Sequence, residues 1–158
     1  MPELDSKDEW PVEDSIGPFK GEYKFLSNFY EAEFVMGDTT FSTAEHAFQA
    51  SKAKDQPEIY DKIVNASSPK KAKRKGKKPD LPENWFGVKK YVMLQVVTAK
   101  FSQNPELRQK LLDTGDETLV ELNRWGDTYW GAKKSNGVGK NTLGVILMNV
   151  RSSLQDLE

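Results

Sequence analysis

The sequence predicts a mainly helical single domain with a small β element near its N-terminal side. The chain has 158 residues, and a globular chain of that length buries roughly 70% of its extended surface without disulfides or metals. Helical periodicity and capping residues recur from residue 42 onward, whereas aromatic and β-branched residues cluster before it. We assign residues 1–18, rich in charge and proline, to a flexible lead and residues 19–158 to the domain.

The β element is expected within residues 19–41. Aromatic and β-branched residues stand on both sides of Gly37-Asp38. A Gly-Asp pair between two such runs is typical of a hairpin, because glycine readily adopts the positive φ that tight hairpin turns require. The whole segment is therefore predicted to be extended, with a hairpin at its end.

The first helix is expected to begin at Ser42 and to run to about Lys54. Ser42-Thr43-Ala44-Glu45 has the spacing of a capping box, in which the N-cap hydroxyl and the carboxylate three residues later each bond the other's backbone N–H. Alanines recur along one side of the following segment. Ser42 is therefore the predicted N-cap.

The remaining elements follow from periodicity and from proline and glycine positions. They are a helix from Pro57 to Ile63, one beginning at Ser68-Pro69, a long one from Glu83 to Phe101, one from Pro105 to Asp113, a short strand from Thr118 to Leu122, a glycine-rich loop from Asn123 to Asn141, and a last helix with Leu143, Leu147, Val150 and Leu154 on one stripe.

Composition restricts the chemistry. The chain has no cysteine and one histidine, His46, so thiol nucleophiles, zinc–thiolate sites and His-rich metal centres are excluded. We expect no metal and no cofactor, and a satisfied core or surface position for His46. The net charge of −1 argues against general coating of nucleic acid. No apolar run approaches the ~20 residues that span a bilayer, and the start shows no secretory signal pattern, so we expect a cytoplasmic protein without membrane contact.

Three polar residues of the first predicted helix share one face. Glu45, Gln49 and Lys52 lie at positions i, i+4 and i+7. A carboxylate can act as a general acid or base, and a half-buried lysine beside it can lose its proton and become a nucleophile. The alternative is structural, with Glu45 closing the capping box and Lys52 as a solvated helix end. Spacing alone does not decide between the two.

A second polar region lies near the C-terminus. Asp127 precedes Tyr129-Trp130-Gly131, whose rings are suited to stacking on a planar ligand while the carboxylate accepts hydrogen bonds from it. Trp125 and Trp130 fit core packing equally well. Both interpretations remain open for this region.

The glycine-rich loop resembles a phosphate loop only superficially. A Walker A loop needs glycine where Lys134 stands and Ser or Thr where Asn141 stands, so an NTPase is excluded. Backbone amides at the start of the last helix, with Asn141 as N-cap, either hold a ligand phosphate or are purely structural.

Seven cationic side chains lie between Lys70 and Lys78. Such a run is usually a solvated face or a loop, and here it is also the strongest candidate for attracting an anion. It contains no aromatic residue, which weakens the case for nucleic-acid binding.

Several blocks of this sequence resemble the NADAR (YbiA-like) family, over roughly residues 17–153. The first blocks are residues 25–29, FLSNF, and residues 42–52, STAEHAFQASK. Later matches, in the same order as in the family, are Trp85, Met93, Lys100-Phe101, Gln103-Asn104, Glu121, Asp127, Tyr129-Trp130-Gly131, Gly139, Asn141, Leu143-Gly144, Met148 and Arg151. Ordered blocks are far more specific than one short motif.

The resemblance implies a multihelical fold with a small β portion and an N-glycosidase activity. Members are similar to enzymes that cleave ribosylated pyrimidine intermediates of riboflavin synthesis or remove ADP-ribose from bases, chiefly guanine in nucleic acid. On the matching positions it implies catalytic roles for Glu45, Lys52 and Asp127, and substrate contacts from Asn28, Gln49, Trp85, Glu121, Trp130, Gly131 and Asn141. It also places the basic run near the substrate, where we expect phosphate contacts from Lys73, Arg74 and Lys77.

Three functions of different classes therefore stand side by side. The first is an N-glycosidase that acts on a ribosyl or ADP-ribosyl substrate, with either a Schiff base on Lys52 or direct attack by water. The second is a non-catalytic module that binds ADP-ribose or a nucleotide, and the third is a nucleic-acid-binding protein that uses the lysine run. The joint presence of Glu45, Lys52, Asp127 and Asn141 favours the enzyme over the binding module, because a binder needs no nucleophile–carboxylate pair. The sequence does not predict the oligomeric state.

Overall fold

The computed structural model describes residues 8–158. Its elements in chain order are β1 (Ser15–Ile16), a 3-10 helix (Gly21–Leu26), β2 (Phe34–Met36), β3 (Thr39–Phe41), α1 (Ala44–Ser51), α2 (Pro57–Val64), α3 (Pro69–Lys75), α4 (Trp85–Gln103), α5 (Pro105–Asp113), β4 (Thr118–Leu119), β5 (Leu122–Asn123), β6 (Ala132–Lys133) and α6 (Thr142–Gln155). The predicted mainly helical class is confirmed. The chain divides into a central unit, residues 28–104, and a terminal unit, formed by residues 8–27 and 105–158.

The predicted flexible lead has ordered contacts in the part that the structure describes. Residues 1–7 lie outside the described residues. From there, Glu9 forms a β-bridge with Val138, and the backbone N–H of Trp10 donates to the carbonyl of Gly137 at 2.8 Å. Trp10 is buried, and β1 pairs in parallel with β4. Residues 8–18 thus pack against the rest of the terminal unit because they supply an indole and a short strand, which charge density alone did not reveal.

The hairpin of the central unit is confirmed. β2 and β3 are antiparallel, with Phe34 opposite Phe41 and Met36 opposite Thr39. Gly37 has a φ of 60° in the turn, a conformation that glycine adopts without steric cost.

The extended structure predicted before the hairpin is wrong for part of the segment, which forms the 3-10 helix of the terminal unit. Phe25 and Leu26 are adjacent and both buried. Adjacent residues of a strand point to opposite faces, so a half-exposed strand would not bury both. The aromatic composition had favoured a strand, and tertiary burial determined the helical turn instead.

The N-cap of α1 is Thr43 rather than the predicted Ser42. The Thr43 hydroxyl accepts from the backbone N–H of His46 at 3.1 Å and also bonds its Nδ1 at 2.7 Å. The predicted capping box is therefore wrong, since the cap lies one residue later. His46 is buried and its Nε2 bonds the carbonyl of Ala66, which confirms a satisfied core histidine.

Small side chains allow α1 to pack closely against its neighbours in the central unit. It contacts α2, α3 and α4. The buried cluster around it is rich in alanine and includes Phe34, Phe41, Ala44, Ala47, Ala50, Ala53, Ile63, Ala72 and Val96. Because alanine lets helix backbones approach, polar side chains on α1 are brought against α3 without long side chains between them.

The buried face of α4 includes a lysine. Val88 and Tyr91 are exposed, whereas Met93, Val96 and Lys100 are buried. The long predicted helix exists, shifted by about two residues. Within residues 8–158, no helix combines the length and the apolar character needed to cross a bilayer.

The terminal unit holds short parallel strand pairs and the two last helices. β1 pairs with β4 and β5 pairs with β6, while α6 packs against α5 and β4. The predicted strand at 118–122 is two separate two-residue strands, and the predicted loop contains β6. Arg151 of α6 donates to the Thr114 hydroxyl at 2.9 Å and to the Glu117 carbonyl at 2.8 Å, fastening the turn after α5.

Candidate active site

The Glu45 carboxylate is buried at the N-terminal turn of α1. Its side chain is exposed to only 7%, and its backbone N–H donates to the carbonyl of Asn28 at 3.0 Å. Oε2 accepts one hydrogen bond, from Nε2 of Gln49 at 2.6 Å. Among residues 8–158 this is the carboxylate's only hydrogen bond, so most of its acceptor capacity is open. The structural alternative, in which Glu45 caps its own helix, does not hold.

Burial raises the pKa of Glu45 above its ordinary value. The hydrogen bond from Gln49 and the charges of Lys73, Lys52 and His46 act in the opposite direction. A carboxyl group with a raised pKa exchanges protons closer to neutral pH, as a general acid or base requires.

Gln49 holds the carboxylate and is itself confined by α3. Its side chain is buried, and within the described residues its Oε1 has no hydrogen-bond partner. A Cβ atom on Gly76, the C-cap of α3, would lie 2.0 Å from that oxygen. Because Gly76 has no side chain, the C-terminal end of α3 can approach the Gln49 amide closely. The amide therefore lies between the Glu45 carboxylate and α3.

Lys52 lies one residue beyond α1, in right-handed helical conformation, so it continues the face of Glu45 and Gln49. The side chain is half-buried, and Nζ lies 5.6 Å from the ring centre of Phe48. Burial lowers the pKa of Lys52, and the nearby charge of Glu45 opposes that shift. A lysine with a lowered pKa has a larger neutral, nucleophilic fraction at physiological pH.

A cavity of about 490 Å³ opens beside Lys52. Trp85 lies on its wall, buried, with its ring centre 5.4 Å from that of Phe48. The lining residues are Ser51, Lys52, Lys54, Asp55, Gln56, Asp80, Leu81, Pro82, Glu83, Trp85, Val88 and Val92. Glu45 is not part of this wall. The cavity lies in the range of small-molecule sites and gives a ligand access to the Lys52 amine.

The basic run forms α3, whose N-cap is Ser68, with the hydroxyl accepting from the Lys71 N–H at 3.1 Å. Ala72 is buried toward the core, while Lys73, Arg74 and Lys77 are exposed. The Lys73 charge acts on both Glu45 and Lys52. The central unit thus brings Glu45, Gln49, Lys52 and Lys73 together. Asn28 is half-buried beside them, with its Nδ2 3.5 Å from the Met93 sulfur.

The other predicted site residues belong to the terminal unit. Oδ1 of Asp127 accepts from the backbone N–H groups of Tyr129 at 3.1 Å and Trp130 at 2.9 Å. The half-buried Trp130 ring meets that of Tyr129 edge-on at 4.8 Å. A Cβ on Gly131 would lie 2.2 Å from the carbonyl oxygen of Glu121, so this position requires glycine. The carboxylate and the glycine both shape the backbone of this loop.

Asn141 is fully buried, and both polar atoms of its side chain are bonded. Oδ1 accepts from the N–H of Glu121 at 2.9 Å, and Nδ2 donates to the carbonyl of Leu119 at 2.9 Å. The N–H groups of Thr142 and Leu143, at the start of α6, donate to the carbonyls of Tyr129 and Trp130. This end of α6 is thus closed by the loop itself, which favours the structural interpretation over phosphate binding.

Sequence reasoning missed three features of the central unit: the Thr43 cap, the Gly76 contact and a buried lysine. Lys100 is exposed to 1%, and burial lowers its pKa to about 7. Its Nζ lies 5.0 Å from the Phe101 ring and 5.8 Å from that of Tyr30. A signal for Lys100 was present in the sequence, since it continues the apolar stripe of Met93 and Val96.

Comparisons with known proteins identify the family of this chain. The NADAR domain profile matches residues 17–155. The chain is 40% identical to N-glycosidase YbiA of Escherichia coli, over 84% of this chain and 82% of that protein, and 37% identical to an N-glycosidase of Nostoc punctiforme, over 85% and 88%. It is also 35% identical to a riboflavin biosynthesis protein of Vibrio vulnificus, of which it covers 36%.

The fold is similar to a solved structure as well. The NMR structure of Escherichia coli YbiA superposes with a TM-score of 0.79 at 35% sequence identity, over all of this chain and 96% of that one. A profile match over most of the chain and relatives of similar length give one conclusion: the chain belongs to the NADAR domain family.

Proposed function

We propose that this protein is an N-glycosidase, a hydrolase that cleaves the bond between C1′ of a ribose and a nitrogen base. Relatives named as N-glycosidases over most of their length support the reaction class. The observation that carries the assignment is the placement of a buried carboxyl with a raised pKa, Glu45, beside a half-buried amine with a lowered pKa, Lys52. Neighbouring titratable groups whose pKa values are both displaced by their surroundings are typical of catalytic sites.

The pair meets the two demands of the reaction. Positive charge develops at C1′, and negative charge develops on the departing base. Glu45 delivers a proton to the base nitrogen, and its carboxylate then faces the cationic carbon. Gln49 fixes the orientation of that carboxylate through its hydrogen bond.

The covalent route assigns the nucleophile to Lys52. The neutral Lys52 amine attacks C1′ while Glu45 protonates the base nitrogen, and the C1′–N bond breaks with its electron pair on the departing base. A proton then passes from the Lys52 nitrogen to the ring oxygen, the C1′–O4′ bond breaks, and C1′ is left in a Schiff base with Lys52. Water then adds to that carbon, the amine departs, and Glu45 recovers its proton. One water is consumed and the enzyme is regenerated. In the other route, Glu45 assists water in attacking C1′ directly, and Lys52 supplies charge only.

Phosphate groups of the substrate are assigned to α3. Lys73, Arg74 and Lys77 are exposed cations of one segment, and Lys73 is close enough to act electrostatically on both catalytic groups. A phosphate bound there would place the attached ribose near Glu45. Trp85 and Asn28 are proposed to contact the sugar or base.

The loop residues of the terminal unit receive a supporting role. Asp127 and Asn141 bond backbone groups, so we propose that they shape the loop that presents Trp130 and Glu121 for substrate contact. Gly131 belongs to the same framework.

Two substrate classes fit the proposal, a ribosylaminopyrimidine phosphate and an ADP-ribosylated base, including guanine within nucleic acid. Both combine ribose, phosphate and a planar ring. The name of the Vibrio relative supports the first class.

The decisive experiment is to incubate the protein with each candidate and to identify released bases by mass spectrometry. We expect release from at least one class by the native protein and none by the Glu45→Gln variant. Tight binding without release, for every candidate, would indicate a binding module instead of an enzyme.

A further inference from the structure

Residues 8–16, here called the strap, precede the region that the family profile matches, and the proposed reaction assigns them no role. The first part of the strap pairs with the segment that leads into α6. The backbone N–H of Trp10 donates to the carbonyl of Gly137 at 2.8 Å, and the N–H of Gly139 donates to the carbonyl of Asp8 at 2.9 Å. Two hydrogen bonds in opposite directions fix the register of this antiparallel pairing.

The contact between Trp10 and Gly137 is close on both sides. Trp10 is exposed to only 7%, so its indole is largely removed from water. Gly137 has a φ of 75°, which glycine adopts without steric cost. A Cβ atom at position 137 would overlap the carbonyl oxygen of Trp10 and lie 3.3 Å from the Val12 side chain. This pairing therefore depends on glycine at one side and on a buried ring at the other.

The second part of the strap is fixed to a different segment of the same unit. β1 and β4 pair in parallel, with Ile16 opposite Leu119, and both side chains are buried. The pairing continues one residue further, because the N–H of Val120 donates to the carbonyl of Ile16 at 3.0 Å. The strap is thus held at both of its ends by buried apolar side chains and by backbone hydrogen bonds.

The two attachment points flank a single stretch of chain, residues 121–136, which we call the site loop. The pairing with β4 ends just before it, and residues 137–139 follow it directly. A loop whose two ends are both held in place has less conformational freedom than one held at a single end. Four of the site residues predicted for the terminal unit lie in the site loop: Glu121, Asp127, Trp130 and Gly131.

Hydrogen bonds connect the segment that the strap holds to the backbone of Trp130. The N–H of Lys140 donates to the carbonyl of Thr128 at 2.8 Å, and the N–H of Leu143 donates to the carbonyl of Trp130 at 3.0 Å. The strap therefore reaches Trp130 through one intervening segment, residues 137–143. Contiguous contacts of this kind are what couples two parts of a fold physically.

We propose that the strap positions the site loop for substrate binding, with Trp10 as the positioning residue. The proposal rests on the proposed function, which assigns substrate contacts to Trp130 and Glu121 in this loop. A loop already held in its binding conformation loses less conformational entropy when the substrate binds. The strap should therefore act on the affinity for the substrate and leave the chemical step almost unchanged. A segment that only stabilised the fold would produce no such difference between KM and kcat.

The test compares three single variants of the full chain: Trp10→Ala, Trp10→Phe and Leu154→Ala. Trp10→Ala removes the ring that anchors the strap, whereas Trp10→Phe keeps a buried ring and the backbone pairing. Leu154 is buried in the last turn of α6, outside the strap and the site loop. Leu154→Ala is therefore a matched control, which destabilises the same unit by leaving a cavity. Trp10→Leu replaces Trp10→Ala if the latter does not fold.

The first measurement is base release from a ribosylaminopyrimidine phosphate and from an ADP-ribosylated guanine nucleotide, below the melting temperature of every variant. We expect Trp10→Ala to raise KM about tenfold and to keep kcat within about threefold of native, because binding alone is weakened. Trp10→Phe and Leu154→Ala should keep KM within about threefold of native. An unchanged KM in Trp10→Ala, or an equal rise in Leu154→Ala, would overturn the proposal.

The second measurement, amide hydrogen exchange without substrate, needs no turnover. The N–H groups of Lys140 and Leu143 bond the site loop, so their exchange reports whether the loop is held. We expect exchange at these amides to be at least about fivefold faster in Trp10→Ala than in the native protein or in Leu154→Ala. Native exchange rates in Trp10→Ala would overturn the role of the strap. Faster exchange, with no base released by the native protein from either substrate, would overturn the proposed function and still show that the strap holds the loop.

Discussion

Two polar clusters of this protein look alike in sequence and differ in the hydrogen bonds that remain available. In the central unit, Glu45 accepts one hydrogen bond, and Oε1 of Gln49 accepts none from residues 8–158. In the terminal unit, one carboxylate oxygen of Asp127 accepts hydrogen bonds from two backbone N–H groups. Both polar side-chain atoms of Asn141 are hydrogen-bonded to backbone groups. The first cluster keeps capacity for a ligand, whereas the second is engaged in holding its own backbone.

The comparison shows what a buried polar residue contributes before any substrate arrives. Satisfied groups such as Asn141 stabilise a loop that has little regular secondary structure. An unsatisfied group is destabilising, so its persistence in a well-packed region is expected where chemistry uses it. Glu45 and Gln49 fit the second description, so substitutions there should affect turnover more than stability, and the reverse should hold for Asp127 and Asn141.

The largest effect is expected for Glu45→Gln. It keeps the size of the side chain and removes the proton-transferring group, so kcat should fall by about 10²–10⁴-fold. The exposed Glu31→Gln is the matched control and should keep native turnover. Base release followed by mass spectrometry measures both. Near-native turnover in Glu45→Gln would show that Glu45 is not catalytic and has a structural role, like the polar residues of the terminal unit.

Stability gives an independent measure of the same residue. Because burial raises the folded-state pKa of Glu45, its favourable contribution is complete at low pH and is lost as pH rises through that pKa. At neutral pH the ionised group is therefore unfavourable in the folded state, and Glu45→Gln should melt at an unchanged or higher temperature. A clear drop in melting temperature would show that the carboxylate stabilises the fold.

The second effect concerns Lys52. In the covalent route the amine must be neutral, so kcat/KM should rise with pH through the lowered pKa of Lys52 and fall as Glu45 loses its proton. The Lys52→Arg variant cannot form a Schiff base, so its kcat should fall by about 10²-fold. Its pH profile should also lack the rise in kcat/KM that the neutral Lys52 amine produces. Borohydride during turnover should label native protein and the Lys54→Arg control but not Lys52→Arg. An active native enzyme that takes no label would favour direct attack by water.

Sequence and structure agree where local signals act alone. The hairpin at Gly37, the helices after Pro57, Ser68 and Pro105, and the shared face of Glu45, Gln49 and Lys52 all follow from turn chemistry or helical spacing. These features depend on residues close together in the chain.

The misses depend on long-range packing. The 3-10 helix, the packing of Trp10 and the closeness of Gly76 to Gln49 arise from residues far apart in sequence. Ser42 and Thr43 are both common N-cap residues. The N-cap is Thr43, whose hydroxyl bonds both the backbone N–H and the Nδ1 of His46. Pattern analysis cannot rank such alternatives, since tertiary contacts decide them.

The third effect tests how the available carboxylate is held in place. Gly76 has a φ of −67° and a ψ of −4°, which alanine adopts freely, so Gly76→Ala changes only the contact with Gln49. The added methyl group must displace the amide and loosen its bond to Glu45, and such overpacking typically costs about 1–3 kcal/mol. We expect roughly tenfold lower kcat/KM. We also expect a shift in the pH at which kcat/KM falls as Glu45 loses its proton. In a Gln49→Ala background the same change should have a much smaller effect, because only the Cβ atom of residue 49 then remains near the added methyl group, at 3.0 Å. Additive losses would show that Gly76 acts elsewhere.

The smallest effect on turnover is expected in the terminal unit, from Asp127→Asn. The amide keeps one oxygen that can accept from Tyr129 and Trp130, so the loop should remain closed and kcat should stay within about tenfold of native. Asp127→Ala removes the acceptor and should lower the free energy of unfolding by about 1 kcal/mol, because two partly buried backbone amides lose their partner. Urea unfolding and base release separate the two roles. The Asp127→Asn variant could instead keep native stability and lose as much turnover as Glu45→Gln. In that case the two clusters would not differ in function as we expect. Asp127 would then join Glu45 in catalysis, with its charge, and not its hydrogen bonds, as the property that matters.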